Sequence, residues 1–582
     1  MEKKHFIDDI NIKGALTGIL IRSPVVTGIL EEIKTPKLPY NITLVTAADI
    51  PGSKVCRTGS QSGSSGNFQE IPIFPEKELS WYGQPVAMLL GPDPANLREL
   101  AEQCSVIVQQ DTEKEKTIIE RNFNNGSVAE AFEKSELIVE GNYFTGLQDP
   151  WPSDPPGAIA VPGPKNTVTI HTCTQWPPHV RSSVAECLNI KSSMVEVEVS
   201  RLEIHLDGKI WPPSVLACQA AIGAKMCGKA VKLILKRDED FLFSPKSAGT
   251  EIRIQSALDK QGAILGTKLA INANFGAFGI FAPEILDCIA LGALGAYSHK
   301  NVTLKAQGFS SPIPPAGPIV GFGLVQGFFA AERHASHIAE ALGEDPAEWK
   351  KKSFLRRGKK LPLNAEIKNP PVEALIDSAQ AMSGYRRKWA AYELLRKNRR
   401  HTPLAEKKTL EPLRGIGISL AYQGNSLLHN SIDSFSSQGW GCAVVEAEID
   451  PVSFMSKVRG IWISLDAGTM LLEERAKKNI HAASLEALSW AMQEQVAYVN
   501  GRIAEADFKN YQVWPEENPP VTVDFLWSEG NPRSIGEIPF ATIPAAYAQA
   551  LSQALDYHFN RYPIDSPEIW KAVQKPAEEG KT

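Results

Sequence analysis

The first 120 residues alternate short apolar runs with one stretch of helical periodicity. Leu16 to Arg22, Ile42 to Val45 and Val86 to Leu90 are rich in branched apolar residues, a composition typical of strands. Pro94 to Cys104 repeats its apolar residues at the spacing of an amphipathic helix. The pattern predicts an α/β module that ends near the turn-forming stretch Asn122 to Gly126.

A second mixed unit is predicted from residue 122 to residue 358. Its last helix spans Leu324 to Leu342 and ends at Gly343, with Pro346 soon after, which is the usual pattern of a helix stop. Four strands are predicted before that helix, at Val168 to Thr172, Val231 to Leu235, Ile252 to Gln255 and Lys268 to Asn274.

Residues 359 to 413 are rich in charge and are predicted to be a linker. Their basic run, Arg396 to Arg400, could bind an anion, although a solvated helix face is the favoured interpretation. A third unit, residues 414 to 582, has predicted strands at Cys442 to Glu448, Val458 to Leu465 and Val521 to Trp527, and predicted helices at Ala482 to Val496 and Ile543 to Phe559. The order of elements predicts an α+β fold in several domains.

Composition narrows the class of protein. The chain has 582 residues, of which 43% are hydrophobic and 22% charged, so it can bury several cores and is not disordered. Its net charge of −5 provides no basic excess for nucleic acid or an anionic membrane surface. No apolar window is long enough to span a bilayer, and the N-terminus lacks a signal peptide, so a cytoplasmic protein is expected.

Cysteine spacing bears on redox chemistry. The eight cysteines are dispersed without a C-x-x-C pair, so no zinc site or iron–sulfur cluster is predicted on this chain. Small buried residues are the expected role of cysteines in a reducing compartment. If the protein handles electrons, the clusters are expected on another chain.

Few short motifs in the sequence suggest a catalytic or ligand-binding site. Gly59 to Gly66 resembles a phosphate cradle but lacks the following lysine and helix, so a loop is favoured. His334 and His337 could share a metal, yet no neighbouring acidic ligand completes the pair, and ordinary packing is favoured.

Glu537 is the carboxylate in the most suggestive setting. It follows Gly536 in a predicted loop, Ser528 to Phe540, shortly before a helix. Helix dipoles favour the anion and a buried pocket would oppose it, so its pKa could be tuned for base catalysis. Taken alone, however, these residues favour a simpler interpretation, in which Glu537 is a charge partner of the helix terminus.

Several longer stretches carry further information: LIRSPVVTGIL (Leu20 to Leu30), YGQPVAMLLG (Tyr82 to Gly91), HTCTQWPPHVRSSVAECL (His171 to Leu188), PPAGPIVGFGLVQGFFAAER (Pro314 to Arg333) and SIGEIPFATIPAA (Ser534 to Ala546). In sequence and order they resemble the molybdopterin-binding large subunits of the xanthine dehydrogenase and aldehyde oxidase family. The resemblance implies an a/b hammerhead domain at residues 1 to 121. It further implies molybdopterin-binding-like domains at 122 to 358 and 414 to 582, the second one shortened.

The resemblance also implies a reaction, cofactors and site residues. Family members hydroxylate an aldehyde or N-heteroaromatic carbon with water as the oxygen source, using a molybdenum–molybdopterin cofactor. Electrons leave through iron–sulfur and FAD subunits, which would be separate chains here. By position in the matched motifs, Glu537 is the catalytic base and Gln175 lies near the molybdenum. Gly536 and the GFG of Gly321, Phe322 and Gly323 fall in the cofactor and substrate-side loops.

The sequence departs from the family at segments that bind the cofactor. SRLEIHLDGKIWPPS follows Val199 in place of a glycine-rich loop, and Val320 stands where many members have arginine. KNIHAAS, Lys478 to Ser484, replaces another glycine-containing motif, and a long stretch is missing before Cys442. Glycines allow backbone N–H groups to approach a cofactor closely, and bulkier residues at these positions would block that approach.

Two functions from different classes follow. The first is a molybdenum hydroxylase large subunit that works with iron–sulfur and FAD subunits, or with a further chain that supplies the missing segment. The second is a non-catalytic homologue without the cofactor, acting as an assembly or interaction subunit. A homo-oligomer is a family expectation, and the sequence does not specify the substrate.

Overall fold

The computed structural model describes residues 5–58, 69–111, 115–152, 154–202, 208–355, 370–400, 411–424, 438–504, 509, 511 and 518–574. The predicted loop at residues 59–66 lies outside these ranges. The strands are β1 (Leu16–Arg22), β2 (Gly28–Lys34), β3 (Thr43–Val45), β4 (Val55–Thr58), β5 (Gln69–Pro72), β6 (Glu78–Leu79), β7 (Pro85–Gly91), β8 (Ser105–Gln110), β9 (Lys116–Asn125), β10 (Leu137–Thr145), β11 (Gly157–Pro162), β12 (Val168–Thr172), β13 (Val195–Val199), β14 (Val231–Ile234), β15 (Gly249–Leu258), β16 (Ile264–Asn274), β17 (Val302–Ser310), β18 (Leu413–Gln423), β19 (Gly439–Ile449), β20 (Ser456–Asp466), β21 (Tyr498–Val499), β22 (Arg502–Ile503), β23 (Val521–Phe525) and β24 (Arg561–Tyr562).

The helices lie between and after these strands. They are α1 (Pro94–Gln103), α2 (Val128–Glu133), α3 (Pro177–Leu188), α4 (Pro212–Cys227), α5 (Arg237–Phe243), α6 (Ala282–Leu294), α7 (Leu324–Ala341), α8 (Pro346–Ser353), α9 (Val372–Ser383), α10 (Tyr385–Arg400), α11 (Glu473–Met492), α12 (Ile538–Leu555) and α13 (Ser566–Gln574). None of the helices in the described part of the chain is long and apolar enough to cross a membrane.

A seven-stranded sheet joins the N-terminal strands to those that follow. Its strand order is β13-β12-β11-β14-β1-β7-β3, with β1 antiparallel to β7 and parallel to β14. The run Val86 to Leu90 in β7 is buried throughout, as a central strand covered on both faces should be. Helices α3 and α4 pack beside this sheet, and their first residues reach the candidate site.

A six-stranded sheet, β24-β10-β15-β16-β17-β9, carries the second group of helices. Strand β16 alternates buried and more exposed positions, so one face packs on the core. Helix α7 is buried along most of its length, from Leu324 to Ala339. Because α7 begins directly after the GFG segment, its burial fixes that segment in place.

The C-terminal sheet, β18-β19-β20-β23, is covered by α12. Gly415 and Gly417 let the helix approach, since a Cβ built on them would lie 1.9 Å from the Ala550 carbonyl oxygen and 2.0 Å from that of Ala546. The side-chain oxygen of Gln549 on α12 also accepts the main-chain N–H of Ile418, at 2.7 Å. These contacts position the N-terminus of α12, where Glu537 lies.

We expect Gly417→Ala to destabilise the protein by about 1–3 kcal/mol, because its methyl group would overlap main-chain atoms of α12 that cannot move aside alone. The midpoint of urea unfolding measures this loss. Gly536→Ala is the matched control, since a Cβ there meets nothing within 4 Å. Equal midpoints for the two variants would show that the close approach of α12 to β18 is wrong.

The predicted α+β fold in several domains is confirmed, with differences at element ends. Helix α12 begins at Ile538 rather than Ile543, because Pro539 occupies the first turn, where a helix needs no N–H donor. Helix α11 begins at Glu473, so Lys478 to Ser484 lie inside a continuous helix.

The basic run in the predicted linker is not wholly solvated. Its first residue, Arg396, is buried against Glu340 and Glu393, with its side chain 11% exposed, whereas Lys397 is exposed. Arg396 therefore ties α10 to α7, and the expectation of a solvated face fails at this residue.

Candidate functional site

Glu537 is the N-cap residue of α12 and is half-buried. Its main-chain N–H donates to Oε1 of Gln423, at 2.9 Å, and its carboxylate accepts a hydrogen bond from the main-chain N–H of Gly321. Burial raises the pKa of the Glu537 carboxyl above its usual range, and the Gly321 N–H, which favours the anion, opposes that shift. The carboxylate is thus held in place and made more basic than an exposed glutamate.

The GFG segment has an unusual backbone that presents this N–H. Gly321, Phe322 and Gly323 all have positive φ, at 75°, 49° and 98°. Glycine is needed at Gly323, where a Cβ would lie 2.7 Å from the carbonyl oxygen of Ile285. The structure therefore brings two segments of the candidate site into direct contact, although more than 200 residues separate them in the sequence.

Gln175 lies between β12 and α3, two residues before the helix begins. Its main-chain N–H donates to the carbonyl oxygen of Lys209 at 2.9 Å. Its side-chain Oε1 is buried and has no hydrogen-bond partner among the residues described. Leaving a buried acceptor unpaired costs about 1–3 kcal/mol, so this atom is suited to a ligand donor.

A chain of aromatic contacts connects Gln175 to the GFG segment. The ring of Trp176, next to Gln175, lies 6.0 Å from that of Phe281, and Phe281 lies 6.3 Å from Phe322. Gly536 stands apart, because it is exposed and contacts no neighbour that would require glycine. Ring contacts thus link the segment that carries Gln175 to the GFG segment, which in turn contacts Glu537.

Two buried lysines support the loops of this site. The Lys209 ammonium pairs with the Asp154 carboxylate while the Lys209 carbonyl holds Gln175. The Lys246 ammonium lies 2.9 Å from Oδ2 of Asp149, and the Lys246 carbonyl accepts the N–H of Gly317, at 2.9 Å, just before the GFG segment. Isolated lysines carry no sequence pattern that would have predicted these roles.

A repeated tripeptide is a signal that the sequence analysis missed. W-P-P occurs at Trp176 and again at Trp211, and in both cases the prolines form the first turn of a helix, α3 and α4. The residues that follow each W-P-P meet, since Nδ1 of His179 lies 2.7 Å from Oγ of Ser214. The repeat therefore brings the first turns of α3 and α4 into contact.

His334 and His337 do not form a metal pair. Nδ1 of both rings lies within 3.0 Å of the Tyr143 hydroxyl, and His334 Nε2 contacts Ser256 Oγ at 2.9 Å. Burial lowers the pKa of His334 to about 3, so the ring is neutral near pH 7. No group of three metal-binding side chains occurs in the ranges that the structure covers.

Comparisons with known proteins match this architecture. Models of molybdopterin cofactor-binding domains match residues 110–354 and 428–515. Aldehyde oxidase 4 of Cavia porcellus is 22% identical over 68% of this chain and 30% of its own, and xanthine dehydrogenase of Dictyostelium discoideum gives the same identity and coverage. Quinoline 2-oxidoreductase from Pseudomonas putida 86 shares the fold, with a TM-score of 0.87 and 15% identity over 98% of this chain and 96% of its own.

The chain belongs to the molybdopterin-binding family of xanthine dehydrogenases and aldehyde oxidases. It spans about 30% of the length of the curated relatives that it matches.

Two parts of the site differ in how well their residues fit the cofactor that this family binds. The unpaired Oε1 of Gln175 and the main-chain turn of the GFG segment fit a polar organic group beside Glu537. Lys478 to Ser484 contribute less, because their main-chain N–H groups are engaged inside α11. The fit is therefore good at the Glu537 end of the site and weaker along α11.

Proposed function

We propose that the protein is the cofactor-binding subunit of a molybdenum hydroxylase, with Glu537 as its catalytic base. The bound cofactor would supply the oxidising metal centre for hydroxylation, with water as the oxygen source. Glu537 would take up a proton at its carboxylate, which the Gly321 N–H holds in position. The contact between Gly321 and Glu537 is the observation that supports this proposal most strongly.

The remaining site residues would bind the cofactor and close the substrate side of the site. Gln175 would accept a hydrogen bond from the cofactor at its unpaired Oε1, and Phe322 with Gly323 would close the substrate side. Gly536 would allow close approach of the cofactor, since nothing else occupies the space beside it. The substrate carbon would be that of an aldehyde or an N-heteroaromatic ring.

The proposal also covers the electron-transfer subunits, the cellular location and the domain organisation of the protein. Iron–sulfur clusters and FAD would be carried by separate subunits, since the eight free cysteines are dispersed. We further propose a cytoplasmic protein with a hammerhead domain at 1–121, a cofactor-binding domain at 122–358 and a second, shortened cofactor-binding domain at 414–582, with residues 359–413 as a linker between the last two.

The source of the inserted oxygen tests the reaction. Purified protein, with any subunits that copurify, would be supplied with an aryl aldehyde or N-heteroaromatic panel and a dye acceptor in ¹⁸O-labelled water. We expect one ¹⁸O atom in each product molecule by mass spectrometry. Incorporation from labelled dioxygen instead would contradict the proposal.

We expect the acid limb of the pH profile of kcat/KM to lie above pH 4.5, the ordinary value for glutamate, because burial raises the pKa of Glu537. Only the ionised carboxylate can accept a proton, so the rate rises as pH increases through this pKa. Steady-state rates between pH 4 and 9 provide the measurement. A limb at or below pH 4.5 would show that Glu537 does not limit the reaction.

A non-catalytic homologue remains the competing proposal. It is favoured by the uninterrupted helix through Lys478 to Ser484, which presents no main-chain donors to a pterin. Such a protein would fold and assemble with partners but would contain neither molybdenum nor pterin when purified from its native host.

A further inference from the structure

Three glutamine side chains tie helix α12 to strand β18 by bonds to the main chain. Oε1 of Gln553 and Oε1 of Gln549, both on the helix, accept main-chain N–H groups of the strand at 3.0 and 2.7 Å. The third bond runs the other way. Oε1 of Gln423, the last residue of the strand, accepts the main-chain N–H of Glu537 at the helix start, at 2.9 Å.

The first two bonds have a structural explanation. Strand β18 lies at the edge of its sheet, so the N–H groups on its outer side find no partner strand among the described elements. A buried N–H group without a partner is costly, and Gln549 and Gln553 provide the acceptors. The Gln423 bond differs, because it pairs no strand group and instead holds the residue that carries the candidate base.

Glu537 occupies the N-cap position of α12 but does not cap the helix. A polar N-cap side chain usually accepts a main-chain N–H of the first turn. The Glu537 side chain makes no such bond and accepts the Gly321 N–H instead. Its carboxylate is therefore directed toward the GFG segment rather than its own helix, and its main chain is held by Gln423.

Packing restrains the main chain little just before Glu537. Gly536 is exposed, and a Cβ built on it would meet nothing within 4 Å. Two hydrogen bonds therefore hold Glu537 at opposite ends of the residue: Gln423 at the main-chain N–H and Gly321 at the carboxylate. A shift of the helix start would move the carboxylate away from the Gly321 N–H.

The electrostatic surroundings of Glu537 are simple. Burial raises the pKa of its carboxyl, and the Gly321 N–H opposes that shift. The titratable group that interacts with it is the Cys288 thiol on α6, whose own pKa is raised by burial, so the thiol stays neutral. A charge introduced at position 423 would therefore act on Glu537 without a competing charge from this neighbour.

We propose that Gln423 is a positioning residue, which holds the main-chain N–H of Glu537 and so fixes the carboxylate where it takes up the proton. This inference rests on the proposed function, because it assigns a supporting residue to the base of that reaction. Gln423 acts through Glu537 and exchanges no proton itself.

Two substitutions at position 423 of the holoprotein distinguish positioning from packing. Gln423→Met keeps the length of the side chain but removes the acceptor, so kcat should fall about 5- to 50-fold with KM within about twofold. Gln423→Glu keeps an acceptor oxygen and should restore kcat to within about threefold on the alkaline plateau. Its negative charge should also move the acid limb of the pH profile upward by about 1–2 pH units, because an ionised neighbour raises the pKa of Glu537.

Gln553 provides the matched controls, since it makes the same kind of bond about 24 Å along α12 from Glu537. Gln553→Met should lower the midpoint of urea unfolding yet leave kcat within about twofold, and Gln553→Glu should leave the acid limb in place. Parental kcat in Gln423→Met, or a parental acid limb in Gln423→Glu, would overturn the inference.

An unfolding cycle tests the contact without turnover and without Gln423→Met. At pH 8, Gln423→Glu should lower the urea midpoint more in the parent than in the Glu537→Gln background, where no second carboxylate opposes the new charge. Equal shifts in the two backgrounds would overturn the inference. Unequal shifts in a protein that shows no hydroxylation would leave the restraint on Glu537 intact and count against the proposed function alone.

Discussion

Replacing Glu537 with glutamine should lower turnover by roughly 10²- to 10⁴-fold, the usual contribution of a positioned general base. Glutamine keeps the size of the side chain and can still accept the Gly321 N–H through its amide oxygen, but it cannot take up a proton. The loss should therefore appear in kcat, with substrate binding little changed. Steady-state kinetics with a dye acceptor measure both parameters.

The stability of this variant distinguishes a catalytic loss from a folding defect. Because burial raises the folded-state pKa of Glu537, the ionised carboxylate destabilises the fold at pH values above its unfolded pKa. Glu537→Gln removes that cost, so the variant should be at least as stable as the parent at pH 8. Glu568→Gln, at a half-buried carboxylate in the first turn of α13, is the control and should retain full turnover. Unchanged turnover in Glu537→Gln would exclude it as the base.

The largest stability loss is expected at the buried ion pair between Glu332 and Lys350. Both side chains are 0% exposed, and Nζ of Lys350 lies 2.7 Å from Oε2 of Glu332. The same carboxylate accepts the Tyr297 hydroxyl at 2.6 Å and the Leu420 N–H at 2.8 Å. The pair thus connects α7 and α8 to strand β18, which ends at Gln423 beside Glu537.

Lys350→Met should destabilise the protein by about 3–5 kcal/mol, because it leaves the Glu332 charge buried and unpaired. Lys351→Met is the matched control on the same helix: its partner Asp377 is 60% exposed, so its loss should be below about 1 kcal/mol. Urea unfolding followed by tryptophan fluorescence measures both variants. Similar losses at the two positions would show that Glu332 is not buried as described.

The sequence predicted the strands of this fold well where apolar runs were long. Leu16 to Arg22 and Val168 to Thr172 match β1 and β12 at both ends, since branched residues there have no helical alternative. It failed at the start of α12, where Pro539 looked like a loop residue although a helix accepts proline in its first turn. Periodicity predicts which elements form, while the termini depend on local hydrogen bonds.

The candidate site was only partly predictable. The positions of Glu537 and Gln175 follow from family motifs, but their partners do not. Gln423 reaches Glu537 from the end of β18, and Gly321 reaches it from the segment before α7, contacts that arise only when the elements pack. The repeated W-P-P was visible in the sequence, yet its meaning required seeing the two helix starts together.

Direct analysis of the cofactor tests the central claim. Protein purified from its native host, with its copurifying subunits, would be assayed for molybdenum by mass spectrometry and for pterin by fluorescence after oxidation. We predict molybdenum and pterin in stoichiometric amounts on this chain. A well-folded preparation that contains neither would contradict a hydroxylase and would identify the protein as a homologue that retains the fold without its cofactor.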